Sequence, residues 1–151
     1  MAWVNAGIEH LVGHQFPGGV RAIAHWENYL LTEATGRELL PDDLAHPIHL
    51  FHVPIDGVGV TIAELFELFE ADGPDQVGLQ AYEWEWFEPL RESLDYHCSG
   101  GVVEVERRVE HDGNDRPYDH VVFRIELTVD GSIVARATTT WHLWRSPVTR
   151  R

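Results

Sequence analysis

The residues best suited to chemistry stand within one short stretch, His46 to Phe69, which reads HPIHLFHVPIDGVGVTIAELFELF. His46, His49 and His52 recur at three-residue spacing, and histidine is the side chain that titrates near neutrality, so each is a candidate to give or take a proton. Asp56 and Glu64 add carboxylates a few residues on. Each candidate also has a structural explanation. Either histidine of the pair His49 and His52 can be a hydrogen-bonded residue under a helix. Asp56 beside Gly57 is a turn pair. Thr61-Ile62-Ala63-Glu64 is a capping box, in which the Glu reaches back to a free N–H at the helix start. A three-histidine metal site fits this spacing only loosely, and Pro47 and Pro54 oppose a regular helix through it, so no metal and no cofactor are expected.

The elements that position these groups follow from periodicity. Ile23, Trp26, Leu30 and Ala34 share one helical face, and Gly36 stops it. Val58, Ile62, Leu65, Phe66 and Phe69 recur at helical spacing and predict a longer, central helix over about residues 58–71, closed by Gly73-Pro74. From Leu79 the period changes to two. Tyr82, Trp84 and Trp86 alternate with glutamates, the tryptophans reading as sheet packing or a dimer contact. Val102 to Val109 fits a strand, and Val121, Phe123, Ile125, Leu127 and Val129 alternate with polar residues in another. Asp130-Gly131 marks a tight hairpin into Ile133 to Trp144, with His142 and Trp144 at the surface or an interface. Residues 1–12 can supply a first short strand, and Asp112-Gly113-Asn114-Asp115 a loop. Helices followed by consecutive strands imply an α+β class, in one domain over residues 1–151.

Composition narrows the function. The formal net charge is −14, from 25 acidic and 11 basic residues, and every basic residue is arginine. That balance opposes binding to nucleic acid or anionic membranes. No apolar run is long enough to span a bilayer and the N-terminus lacks a signal-peptide pattern, so a cytoplasmic protein is expected. Cys98 is the only cysteine, which excludes an intramolecular disulfide and reads as packing.

Tyr29 to Gly36 (YLLTEATG), Ile55-Asp56-Gly57 leading into Val58 to Phe69, Glu88-Pro89-Leu90-Arg91 before Leu94-Asp95, and Asp130-Gly131 before Ala135 to Arg145 together resemble the MaoC-like hydratase/dehydratase branch of the hotdog superfamily, including its FAS1-like dehydratase domains. The resemblance covers roughly residues 20 to 145. It implies an antiparallel sheet wrapped around a central helix. It implies an acyl-CoA or acyl-carrier-protein thioester as substrate, hydrated or dehydrated between the enoyl and 3-hydroxyacyl states. It also implies a homodimer or a pairing with another hotdog subunit, which an unpaired sheet edge also favours. The hydratases of that branch carry an Asp, then Asn-Pro, then a His five residues after the Asp. Anchoring on Pro47-Ile48-His49 keeps the His but places Leu44 at the Asp position and His46 at the Asn position; anchoring on the A-T-G turn places Arg37 at the Asp position.

A second hotdog branch, the β-hydroxyacyl-carrier-protein dehydratases, is similar through His52-Val53-Pro54 and Gly59-Val60 to Glu64, although the His-to-Glu spacing is about two residues short. That similarity implies His52 and Glu64 as the acid/base pair, with His49 as the rival for the first role. Asp56, Gly57 and Gly59 would then line the substrate, the glycines by allowing its close approach to the backbone. His14 in HQFPGG precedes the wrong helix for the same signature and reads as a loop. A hotdog thioesterase using Glu64, and a non-catalytic acyl-binding subunit, are the alternatives.

Overall fold

The computed structural model describes residues 7–145 apart from 112 and 114, so the tip of the expected 112–115 loop lies outside the described residues. After a 3₁₀ turn at Ile8–Leu11, the chain forms β1 (Gly19–Arg21), α1 (His25–Ala34), α2 (His49–Gly57) and α3 (Ile62–Leu68). The strands β2 (Val77–Trp86), β3 (Tyr96–Glu110), β4 (Arg116–Val129) and β5 (Ser132–Trp144) follow. They form one antiparallel five-stranded sheet in the order β1-β3-β4-β5-β2. The first strand is therefore β1, and the described part of the N-terminal segment is a turn instead. The α+β class holds, and among the described residues no helix is long and apolar enough to cross a membrane.

Alternation decides the sheet's two faces. Val121, Phe123, Ile125 and Leu127 of β4 are buried, while His120, Val122, Arg124 and Glu126 between them are only half-buried. The hairpin turn at Asp130-Gly131 has positive φ at both residues, 50° and 78°, the geometry whose twist matches the flanking strands.

The helix lying on the buried face is α2, which packs against β1, β3, β4 and β5. This corrects the expected central helix over residues 58–71. Val58, Leu65 and Phe69 are all buried, so their periodicity reflects real burial, but two elements share it. Gly59 breaks the path at φ 82°, and Thr61 starts a separate helix by accepting the Glu64 N–H at 3.1 Å. α2 forms despite Pro54, whose ring removes one helix hydrogen bond. Burial of Leu50, Val53 and Val58 at 0–1% exposure outweighs that loss. Gly57 makes the seat: a Cβ there would run into Cys98 Sγ and meet Arg21 Cβ at 3.0 Å.

α1 inverts its expected face. Trp26 and Leu30 are 65% and 58% exposed, whereas Asn28 and Thr32 are buried. Asn28 explains this by serving as a polar hub. Its Nδ2 donates to the Leu44 carbonyl at 3.1 Å and to Glu92 at 2.7 Å, and its Oδ1 accepts from the His46 N–H at 3.0 Å. Fully satisfied, such a hub can be buried in place of an apolar face.

The far end of the core is held by charge. Asp119, fully buried, accepts from Arg107 Nε at 2.5 Å and Arg145 Nε at 2.8 Å. Arg145 then donates to the carbonyls of Phe69 and Glu70, tying the end of α3 to the sheet. Removing one partner of such a group strands the others without compensation, so Asp119→Ala should lose about 3–5 kcal/mol of stability. Denaturant unfolding at neutral pH measures it, and a loss below about 1 kcal/mol would contradict the clamp.

Candidate active site

α2 fixes the site because its exposed flank faces α1. His49, His52 and Asp56 recur along that flank and, with Trp26, Glu27, Leu30, Leu31 and Ala34 of α1, line a cleft of about 290 Å³. The α1 side is largely apolar and the α2 side polar. Among the sequence candidates, the protomer thus brings His49, His52 and Asp56 together.

His49 lies deepest. It is 3% exposed, and its Nε2 is buried without a hydrogen-bond partner among the described residues. Burial pushes its imidazole down to about 4, against a counter-pull from the Glu27 carboxylate. It is therefore a neutral imidazole at pH 7. His52 and Asp56 are exposed at the mouth, and the Phe51 ring packs edge-on to His52 at 4.9 Å between centroids. On the sheet side, Phe51 rests against Tyr82 at 5.5 Å and Trp84 at 6.5 Å. His46 stays local: its Nδ1 accepts the Ile48 N–H at 3.0 Å, capping the approach to α2.

Glu27 is a second carboxylate of the cleft beside Asp56, and neither it nor its partner Arg21 stands out in the sequence. Arg21 at the end of β1 grips it with two hydrogen bonds, at 2.5 and 3.0 Å, and reaches Asp56 at 3.6 Å. The Ala24 N–H adds a third bond, at 3.2 Å. The arginine holds the Glu27 carboxyl below its ordinary range, so it stays ionised beside His49. Only the side-chain order R-x₅-E across a strand-to-helix junction encodes this pair, and that pattern is indistinguishable from an ordinary surface ion pair.

Glu64 is not part of the cleft. It is exposed, and its contact at the start of α3 is made by its backbone, whose N–H donates to Thr61 Oγ1. The expected His52–Glu64 pairing is not assembled in the protomer, because the break at Gly59 redirects α3 away from α2. Gly57 and Gly59 do permit close approach of the chain itself. Gly57 admits Cys98, and a Cβ on Gly59 would meet the Gly18 carbonyl oxygen at 2.6 Å. The N-terminus of α2 also offers fewer free donors than a helix start usually does. The N–H groups of His49, Leu50 and Phe51 bond the carbonyls of His46, Pro47 and Ile48 at 3.1, 3.1 and 2.9 Å. Cys98 is buried beneath α2, with its thiol pushed up to about 11 by burial, so it is a packing residue.

No protein-family model matches the chain, and no curated protein sequence does. Solved structures do match. The ChsH1–ChsH2 complex from Mycobacterium tuberculosis superposes with a TM-score of 0.70 at 14% identity, over 95% of this chain and 89% of that one. The HadBC (3R-hydroxyacyl-ACP dehydratase) complex from the same organism gives 0.61 at 16%, over 85% and 92%. A MaoC-like dehydratase from Rhodospirillum rubrum gives 0.58 at 16%, over 95% and 100%. At these identities the likeness is one of fold, and the fold is the hotdog: a curved antiparallel sheet around a central helix, here α2.

The buried His49 makes a prediction about stability. Between pH 6.5 and 4 the unfolded chain carries a proton on this residue and the folded chain does not. Its contribution is therefore complete above about pH 6.5 and is lost as pH falls toward 4. At 1.36 kcal/mol per pH unit the loss approaches about 3 kcal/mol. Glu27 and Glu92, both held below their ordinary range, lose theirs only in a lower window. Chemical unfolding from pH 7.5 to 4 should show a slope between 6.5 and 4.5 that His49→Gln flattens; an unchanged slope in the variant would place the titration elsewhere.

Proposed function

We propose that the protein acts on an acyl thioester, of coenzyme A or of an acyl carrier protein, by hydrating an enoyl group or dehydrating a 3-hydroxyacyl group, with His49 as the proton-transfer residue. The observation that carries this reading is the buried, unpartnered Nε2 of a neutral His49 inside an apolar-walled cleft, with an ionised carboxylate nearby. In hydration, water attacks the β-carbon while His49 Nε2 takes its proton. The displaced π electrons move onto the thioester oxygen as an enolate. The imidazolium then returns the proton to the α-carbon. Burial disfavours the imidazolium, and the Glu27 carboxylate offsets that cost while the charge exists. Trp26, Leu30 and Leu31 supply the apolar wall against which an acyl group lies.

The thioester oxygen needs hydrogen-bond donors as it becomes negative. The first N–H groups of α2 are already bonded locally, and Arg21 is engaged by Glu27 and Asp56. We infer that a second hotdog subunit closes the cleft along α1 and supplies those donors, in a homodimer or with a different chain. Two of the matching structures are themselves structures of complexes, ChsH1–ChsH2 and HadBC. The same shortage of donors, with Leu44 where a carboxylate is expected, favours a second reading: an acyl-binding subunit whose partner carries the chemistry.

Turnover of crotonyl-CoA and longer enoyl-CoAs by the purified protein separates the two. Hydration that falls about 10²-fold or more in His49→Gln, and is unchanged in Glu64→Gln, supports the enzymatic reading. Activity that survives His49→Gln refutes that site. Absence of turnover together with saturable binding of an acyl-CoA selects the binding subunit, and thioester hydrolysis without hydration selects a thioesterase.

A further inference from the structure

We propose that the face of the sheet turned away from α2 carries a chelating site for a divalent transition metal, formed by His120 of β4 and His142 of β5, whose geometry suits copper(II) or nickel(II) better than zinc(II). The two residues are direct cross-strand partners, and His120 Nδ1 lies 3.0 Å from His142 Nε2. An ion held by two imidazole nitrogens at about 2.1 Å each, with that separation, subtends an angle of about 90°. This is the cis angle of square-planar and octahedral coordination, which copper(II) and nickel(II) adopt. The tetrahedral angle of zinc requires the nitrogens roughly 0.4 Å further apart. In the absence of metal one nitrogen donates to the other. To chelate, each ring must turn about its Cβ–Cγ bond so that the nitrogens leave their shared hydrogen bond and direct both lone pairs at the ion.

The surroundings bear on the same point. Gly78 of β2 stands opposite His142 and puts no side chain over it. Glu104 Oε1 of β3 lies 3.8 Å from His120 Nε2, and Glu106 is the β3 partner of His120 across the strand pair. Arg108 opposes a cation here, but its charge is engaged by Glu106 at 2.8 Å. The Tyr118 ring stacks on His142 at 4.5 Å between centroids and limits its motion. Burial and the neighbouring His120 keep His142 below the ordinary histidine range, so lone pairs are available at neutral pH. No group of three or more His, Cys, Asp or Glu among the described residues converges on one point, so the chain supplies two ligands and water the rest. The site stands apart from the cleft, on the opposite face of the sheet.

Calorimetric titration of the full chain with CuCl₂, NiCl₂ and ZnCl₂ at pH 7.5 tests the proposal. One equivalent of copper should bind at micromolar concentration, at least tenfold more tightly than zinc. His120→Gln and His142→Gln should each weaken copper binding tenfold or more, with circular dichroism confirming the fold. Electron paramagnetic resonance of the copper-loaded wild type should show coupling to two imidazole nitrogens, a readout that does not depend on the variants folding. Copper binding in either variant equal to that of the wild type, zinc binding tighter than copper, or a spectrum without two-nitrogen coupling would each overturn it.

Discussion

The contact on which the site depends is the seating of α2 at Gly57. This nine-residue helix is too short to stand by its own propensity, and it contains a proline. It holds because Leu50 and Val53 are wholly buried and because its last turn can press against β1 and β3 without a side chain in the way. Cys98 fills the space that a Cβ at Gly57 would need, and its thiol donates to the Val53 carbonyl at 3.6 Å. Moving that contact outward by the width of a methyl group would tilt the flank that carries His49, His52 and Asp56. The far end of α2 is fixed independently by Asn28, which accepts from the His46 N–H, donates to the Leu44 carbonyl and is itself held by Glu92. One end is therefore set by close packing and the other by a saturated polar hub, and the cleft is what lies between.

The electrostatics of that cleft follow from position more than from residue type. His49 and His52 are one helical turn apart, yet one is buried and neutral and the other is exposed at the mouth. Glu27 and Asp56 are both near Arg21, but only Glu27 is gripped by two short hydrogen bonds. The arginine therefore does two things. It keeps a carboxylate charged beside a desolvated imidazole, and it cancels part of the pull that carboxylate exerts on the imidazole proton. The resting His49 is thus a proton acceptor whose protonated form is costly but compensated.

The sheet was legible in the sequence because alternation over β4 and β5 is a direct record of one buried face, and because Asp130-Gly131 permits only a tight turn. The helices were less so. Val58, Leu65 and Phe69 mimic one amphipathic helix because a break at Gly59 happens to preserve their common direction toward the core. The true central helix was obscured by Pro47 and Pro54, whose local cost is outweighed by burial that only the folded sheet provides. Trp26 and Leu30 misled in the opposite sense, since periodicity shows that a face is apolar but not what covers it. In the site, His49, His52 and Asp56 were candidates by residue type within one short stretch, but the helix that aligns them was not legible, because Pro47 and Pro54 argue against it. Glu27 and Arg21 were not candidates, because their meaning arises from a contact between a strand end and a helix that no local pattern encodes.

That exposed face of α1 bears on how the protein works as a unit. Trp26, Tyr29 and Leu30 form an apolar strip on a chain whose formal charge is −14. Solvent does not favour such a strip unless something covers it. It is continuous with the cleft through Trp26 and Leu30. The sheet also has open edges, since β2 pairs only with β5 and β1 covers three residues of the longer β3. A partner that covered the strip would exclude water from above His49 and lower the dielectric around Glu27 at the same time. Both changes strengthen the interaction between the carboxylate and a transient imidazolium. The same burial that makes the resting imidazole hard to protonate then lets the neighbouring carboxylate act on it most strongly.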